Sequence, residues 1–141
     1  MPKTSEKLDS AIKRARELHG HLGPFLVVGV RIGEYAKKTL KGEMKVSVKV
    51  PMITPLSCII DGIQASTQCT VGNGKLSIEE SEKEIVAHFK LQKTQKSIKV
   101  CVKPQLIEEL KQKLSQGMSN EELAQIVACA SDSEMFTVEK Q

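Results

Sequence analysis

Residues 44–67 read M-K-V-S-V-K-V-P-M-I-T-P-L-S-C-I-I-D-G-I-Q-A-S-T. Two periodicities meet in this stretch. Over 44–50 apolar and polar residues alternate, the period of a half-buried strand. The segment P-M-I-T-P-L-S is a loop, and Ser57 is placed to cap a helix running from Cys58 to about Thr67. A strand that feeds a helix is common to several architectures, so the flanking segments decide which one this is.

On the N-terminal side, Leu8, Ala11, Ile12, Ala15 and Leu18 recur at helical spacing over 5–18. A second helix opens at Pro24, a favoured first-turn residue. It runs through Phe25, Leu26, Val28, Ile32 and Tyr35 to about Leu40, with Gly42 as the stop. Gly29, Gly33 and Ala36 form a stripe on it that would let another backbone approach closely. On the C-terminal side, T-V-G-N-G-K marks a turn. Three short strands follow at Lys75–Glu79, Glu84–Leu91 and Ser97–Val102, and they are expected to form an antiparallel meander. Pro104 opens a helix with Leu106, Ile107, Leu110 and Leu114 inward. Ser119 and Glu122 read as a capping box for a last helix, with Leu123, Ile126, Val127 and Ala130 on one side. The last ten residues, 132–141, read as a frayed tail. Helices and strands do not alternate regularly, so the class is α+β: two N-terminal helices, a strand–helix–three-strand core and C-terminal helices. Nothing divides the chain, and one domain over residues 1–141 is expected.

A chain of 141 residues with 40% apolar content buries roughly two-thirds of its unfolded surface and needs no staple. The start, M-P-K-T-S-E-K, is polar and charged, unlike a signal peptide. No apolar run reaches the roughly 20 residues that span a bilayer. A cytoplasmic protein whose four cysteines are reduced thiols is therefore expected. Net charge is +4, with the lysines scattered, and the aromatic content of 3% leaves few platforms for stacked bases. Nucleic-acid binding is not the expectation.

Chemistry concentrates in two places. The first is H-G-H-L-G-P at 19–24. Neutral imidazoles ligate metals at physiological pH, and Gly20 and Gly23 ease the bend that brings His19 and His21 together. The helix start at Pro24 could seat the anionic end of a substrate beside them. The plain alternative is a loop whose histidine satisfies a carbonyl. The second is S-C-I-I-D-G-I-Q-A-S-T-Q-C-T. Cys58 opens a helix, where a thiolate is stabilised, and Asp61 shares its face. Thiolate, carboxylate and imidazole are ligands for zinc and similar metals. Equally, Cys58 could be a small buried hydrophobe and Asp61 the partner of a lysine or arginine. Cys69 lies about 16 Å from Cys58 along a straight helix, too far to share one metal through bonds of about 2.3 Å. Either the helix ends early, or Cys69 serves another site, such as the partner's in a dimer. Cys101 reads as peripheral, Cys129 as packing and His88 as exposed. The chain carries no phosphate-binding glycine loop, G-x-S-x-G, H-E-x-x-H or C-x-x-C.

The two stretches H-G-H-L-G-P-F-L-V-V-G and C-I-I-D-G-I-Q-A-S-T-Q-C-T-V-G-N-G-K-L together resemble the FmdE family, named for the FmdE component of molybdenum formylmethanofuran dehydrogenase. The resemblance covers about residues 8–115. It implies an α+β core, a homodimer with helices across the interface, and a cytoplasmic protein linked to one-carbon metabolism and methanogenesis. It carries the family's site over to His19, His21, Cys58 and Cys69 as metal ligands, with Asp61 alongside. Two departures stand out: Gly23 occupies a position that is often cysteine in the family, and a counterpart of the C-terminal zinc-finger domain of many members is not expected.

The expectation is thus a metal-binding accessory protein with a divalent transition metal, zinc first, and no molybdopterin, flavin or nicotinamide. If it is catalytic, Cys58 would be the nucleophile, with Asp61 beside it, or the metal would polarise a carbonyl or activate water. Its partners would be a second copy, formylmethanofuran dehydrogenase-type subunits and a small anionic substrate. The alternative is a non-enzymatic scaffold or metal-delivery protein that works by binding a partner protein.

Overall fold

A computed structural model describes residues 5–140. The first four residues of the start, and Gln141 of the tail, lie outside the described residues. The elements are α1 Glu6–His19, α2 Pro24–Leu40, β1 Met44–Val50, α3 Cys58–Thr67, β2 Leu76–Glu80, β3 Val86–Leu91, β4 Ser97–Val102, α4 Pro104–Ser115, α5 Asn120–Cys129, α6 Asp132–Met135 and β5 Phe136–Lys140. The class is α+β.

One mixed sheet has the order β2-β1-β3-β4-β5. β1, β3, β4 and β5 pair antiparallel in sequence. β2 does not join a meander with β3 and β4; it lies parallel to β1, with Val46 opposite Leu76. Parallel strands need a long crossover, and the stretch containing α3 supplies it. The expected frayed tail is also corrected. Residues 132–140 form α6 and β5, and β5 places Phe136 opposite Val102 and Val138 opposite Val100.

The alternation of β1 decides which sheet face is inside. Val46, Val48 and Val50 are buried; Val46 lies in a row with Phe89 and Ile98, and Val48 in a row with Ala87 and Val100. Each such aliphatic or aromatic side chain contributes roughly 1.5–3 kcal/mol when fully buried. The buried residues of α2, α3, α4 and α5 join these inward side chains in one core, while Lys45, Ser47, His88 and Lys90, which alternate with them, are exposed.

α2 is almost wholly buried from Pro24 to Gly33. It crosses α3 at the glycine stripe. A Cβ on Gly29 would overlap the carbonyl oxygen of Ile59, and one on Gly62 the carbonyl oxygen of Leu26. Both positions must lack a side chain for these backbones to touch. Arg31 ties α2 to the end of α5. Its guanidinium donates to the carbonyls of Val127 (2.9 Å) and Ala128 (3.0 Å) and to Asp132 Oδ1 (3.0 Å). It thereby satisfies carbonyls that a helix end leaves open.

Local details differ from expectation. Ser57 makes no side-chain cap. Ser119 accepts from the Glu122 N–H at 3.1 Å, but the reciprocal capping box is completed at Ser131 and Glu134. Leu18 and Ile126 are exposed rather than inward.

Candidate functional site

The site is built where the end of α1 meets the first turn of α3. Ser5 starts α1 by accepting from the Leu8 N–H at 3.1 Å. Gly20 stops it in the left-handed region, φ 102°, its N–H donating to the Arg16 carbonyl at 2.8 Å. A side chain at that φ is strained. His19 is therefore the last helical residue, and His21 follows the turn.

α1 packs on α3, which brings His19 to Asp61. The two meet at 2.7 Å, Nδ1 to Oδ2. Because an ionised carboxylate only accepts, the imidazole N–H that faces Asp61 is the donor. Asp61 is held in turn: its Oδ1 accepts from Gln64 Nε2 at 3.1 Å, and Gln64 Oε1 accepts from the Val71 N–H at 3.1 Å. The other ring nitrogen, His19 Nε2, is buried and has no hydrogen-bond partner among the described residues. The rings of His19 and His21 lie 4.7 Å apart, centroid to centroid, and His21 is exposed.

Cys58 is buried at the opening of α3, one turn before Asp61. Its thiol does not show the lowered pKa expected at a helix start. Burial, and secondly the negative charge of Asp61, push it above the ordinary thiol range. Without a metal Cys58 is a neutral thiol. Cys69 lies beyond the far end of α3 and is not brought to the histidines. Its Sγ donates to the Met44 carbonyl at 3.2 Å, and it lines a cavity of about 590 Å³ with Lys7, Lys37 and Lys75. An apolar cavity of about 710 Å³, lined by Pro51, Ile53, Leu56, Ile85, Cys101 and Ile107 among others, contains none of the expected site residues. Among the described residues, no three His, Cys, Asp or Glu side chains converge as metal ligands.

The structure thus joins His19, His21 and Asp61, with Cys58 close enough to feel the Asp61 charge, and it separates Cys69. Sequence reasoning gave no role to Gln64. Its signal was the i+3 offset from Asp61 on one helix face. A carboxylate fixed on one imidazole nitrogen sets the tautomer and aims the other nitrogen's lone pair, the arrangement common behind metal-ligating histidines.

A family model described as "FmdE, Molybdenum formylmethanofuran dehydrogenase operon" matches residues 18–137. The chain belongs to the FmdE family. Its fold is that of the crystal structure of a tungsten formylmethanofuran dehydrogenase FmdE-like protein from Syntrophus aciditrophicus. That match has a TM-score of 0.72 at 16% identity, over 99% of this chain and 77% of that one. A probable S-adenosyl-L-methionine-binding protein of Archaeoglobus fulgidus is 36% identical over 75 residues, 50% of this chain. The FmdE-family chain spans only 20% of that protein's length. Both site stretches fall inside the matched span, His19 at its very start. None of the helices among the described residues is long and apolar enough to cross a membrane.

Proposed function

We propose that this FmdE-family protein is a metal-binding accessory protein related to the FmdE component of formylmethanofuran dehydrogenase, and that His19 is the ligand around which its centre is built. One observation carries the reading: His19 Nε2 is buried without a partner while the opposite nitrogen is locked to Asp61. An orphaned buried polar atom is costly, roughly 1–3 kcal/mol, and a cation on that lone pair removes the cost.

In this reading Asp61 orients and polarises the ring, and Gln64 holds Asp61. His21 is the second imidazole. Cys58 would supply the sulfur ligand, a role that requires its thiolate form. The anionic group of a substrate would sit beside these residues at the start of α2. A bound divalent transition metal such as zinc would supply Lewis acidity.

The test is zinc binding by titration calorimetry and elemental analysis of dialysed protein. One equivalent is expected. His19→Ala should abolish binding with the circular dichroism unchanged, and Asp61→Asn should weaken it roughly 10–100-fold. Gly23→Cys should tighten it. The backbone there is extended (φ −150°), and the new Cβ would lie 3.8 Å from His21 Cε1 and 3.3 Å from Asn120 Oδ1. Wild-type protein that binds no zinc, or His19→Ala that binds it equally, overturns the proposal. The second reading, a scaffold acting through partner binding, is favoured by the lack of three converging ligands among the described residues, and a metal-free wild type would select it.

A further inference from the structure

The open sheet face gathers lysines that the sequence scatters. On β1, Lys45 and Ser47 are exposed and Lys49 half-exposed. On β3, His88 and Lys90 are exposed. On β4, Lys99 is half-exposed. Strand register turns these into a patch: Lys45 stands opposite Lys90, Ser47 opposite His88, and His88 opposite Lys99. Like charges directly across a strand pair are unfavourable. None of these lysines makes an ion pair among the described residues, not even Lys49 with Glu79 or Lys99 with Glu139, which lie opposite them in register. The acidic residues of the face, Glu79 and Glu139, lie on the two edge strands. The centre is basic and the flanks are acidic.

We propose that this face docks an acidic surface of a partner protein. Charge complementarity names the occupant. A second copy of the chain would set lysines against lysines. A nucleic-acid strand would find no phenyl, phenol or indole ring to stack on and only the single imidazole of His88, since the face otherwise offers Ser47, Val86, Cys101 and Thr137 between the charges. It would also meet glutamates at both edges. A protein with an acidic centre and a basic rim matches the whole pattern, and Coulomb steering would speed its encounter. The inference is independent of the metal centre, because that centre is built from His19, His21, Cys58, Asp61 and Gln64 and the patch from strand residues alone.

The probes are a labelled 20-residue oligoglutamate and a labelled oligouridylate of about equal length, each titrated into the full chain by fluorescence anisotropy. Oligoglutamate is expected to bind, to weaken at least fivefold between low and physiological salt, and to weaken at least tenfold with Lys45→Glu. That variant replaces a like-charge pair by an opposite one and so keeps the sheet folded. Lys99→Gln, which only removes charge, should weaken binding severalfold, while Lys13→Glu on α1 should leave it within twofold. Tighter binding of the RNA, lost in Lys45→Glu, would overturn the proposal in favour of nucleic acid. A wild-type dimer that Lys45→Glu alters would overturn it in favour of a second copy. Equal binding by all variants would overturn it outright.

Discussion

At the residue scale, the candidate centre is a chain of three side chains, His19, Asp61 and Gln64, anchored on the Val71 amide. Its members were legible as residue types: imidazoles before Pro24, and a carboxylate and a thiol on the first turn of a helix. Which pairs meet was not legible, because that depends on how α1 lies on α3. Position within a helix also misled, since Cys58 sits at a helix start yet its thiol is pushed up, burial and Asp61 outweighing the helix end. This fixes a pH dependence for the metal-free protein. A thiol whose native pKa exceeds its unfolded one holds a proton that the unfolded chain has lost. Stability is then full below the unfolded value of about 8.5 and falls as pH rises from there through the native value. Urea unfolding across the alkaline range should show that fall, and Cys58→Ser should flatten it. Asp61→Asn should lower the pH at which Cys58 is alkylated, as read by mass spectrometry. A wild type with no alkaline decline would contradict the assignment.

Elements are held together by absences as much as by side chains. The glycine stripe on α2 announced a close neighbour, and α3 is that neighbour, but the matching Gly62 went unread because a single glycine in a helical pattern carries little signal. Gly62→Ala weighs two effects. Alanine gains about 1 kcal/mol of helix propensity. Against that, its Cβ would overlap the Leu26 carbonyl and meet Val30 N at 2.8 Å and Gly29 Cα at 2.9 Å, all backbone. Overpacking costs typically 1–3 kcal/mol, and backbone yields least. A net loss towards roughly 2 kcal/mol, the upper end of that difference, is expected in chemical denaturation, and a stabilised variant would show that the helices can part freely. The strand pairing of β2 was illegible for a different reason: a turn signal such as T-V-G-N-G announces a reversal but not the strand that receives the chain.

For the molecule as a whole, the largest misreading was the C-terminal stretch. F-T-V-E-K is a short alternating run, and its partner β4 lies more than thirty residues earlier, beyond the reach of local pattern. In the fold, Met135 and Phe136 are buried, and β5 covers the edge of β4. Removing residues 132–141 should cost roughly 3–5 kcal/mol from the Phe136 contacts alone and leave β4 as an uncovered edge prone to association. Urea unfolding and size-exclusion chromatography would register both, and a truncated chain that stays monomeric with an unchanged midpoint would show the strand to be expendable. The α+β class and the helix order were legible because they follow from periodicity; the basic patch was not, because only register assembles it. The crossover from β1 to β2 has one more result. α3 is ten residues long, about 15 Å, and it carries Cys58 at one end with Cys69 past the other. A disulfide needs Cα atoms within about 7 Å. Oxidants can therefore not staple this pair within one folded chain, and any cross-link involving either thiol has to recruit a different sulfur.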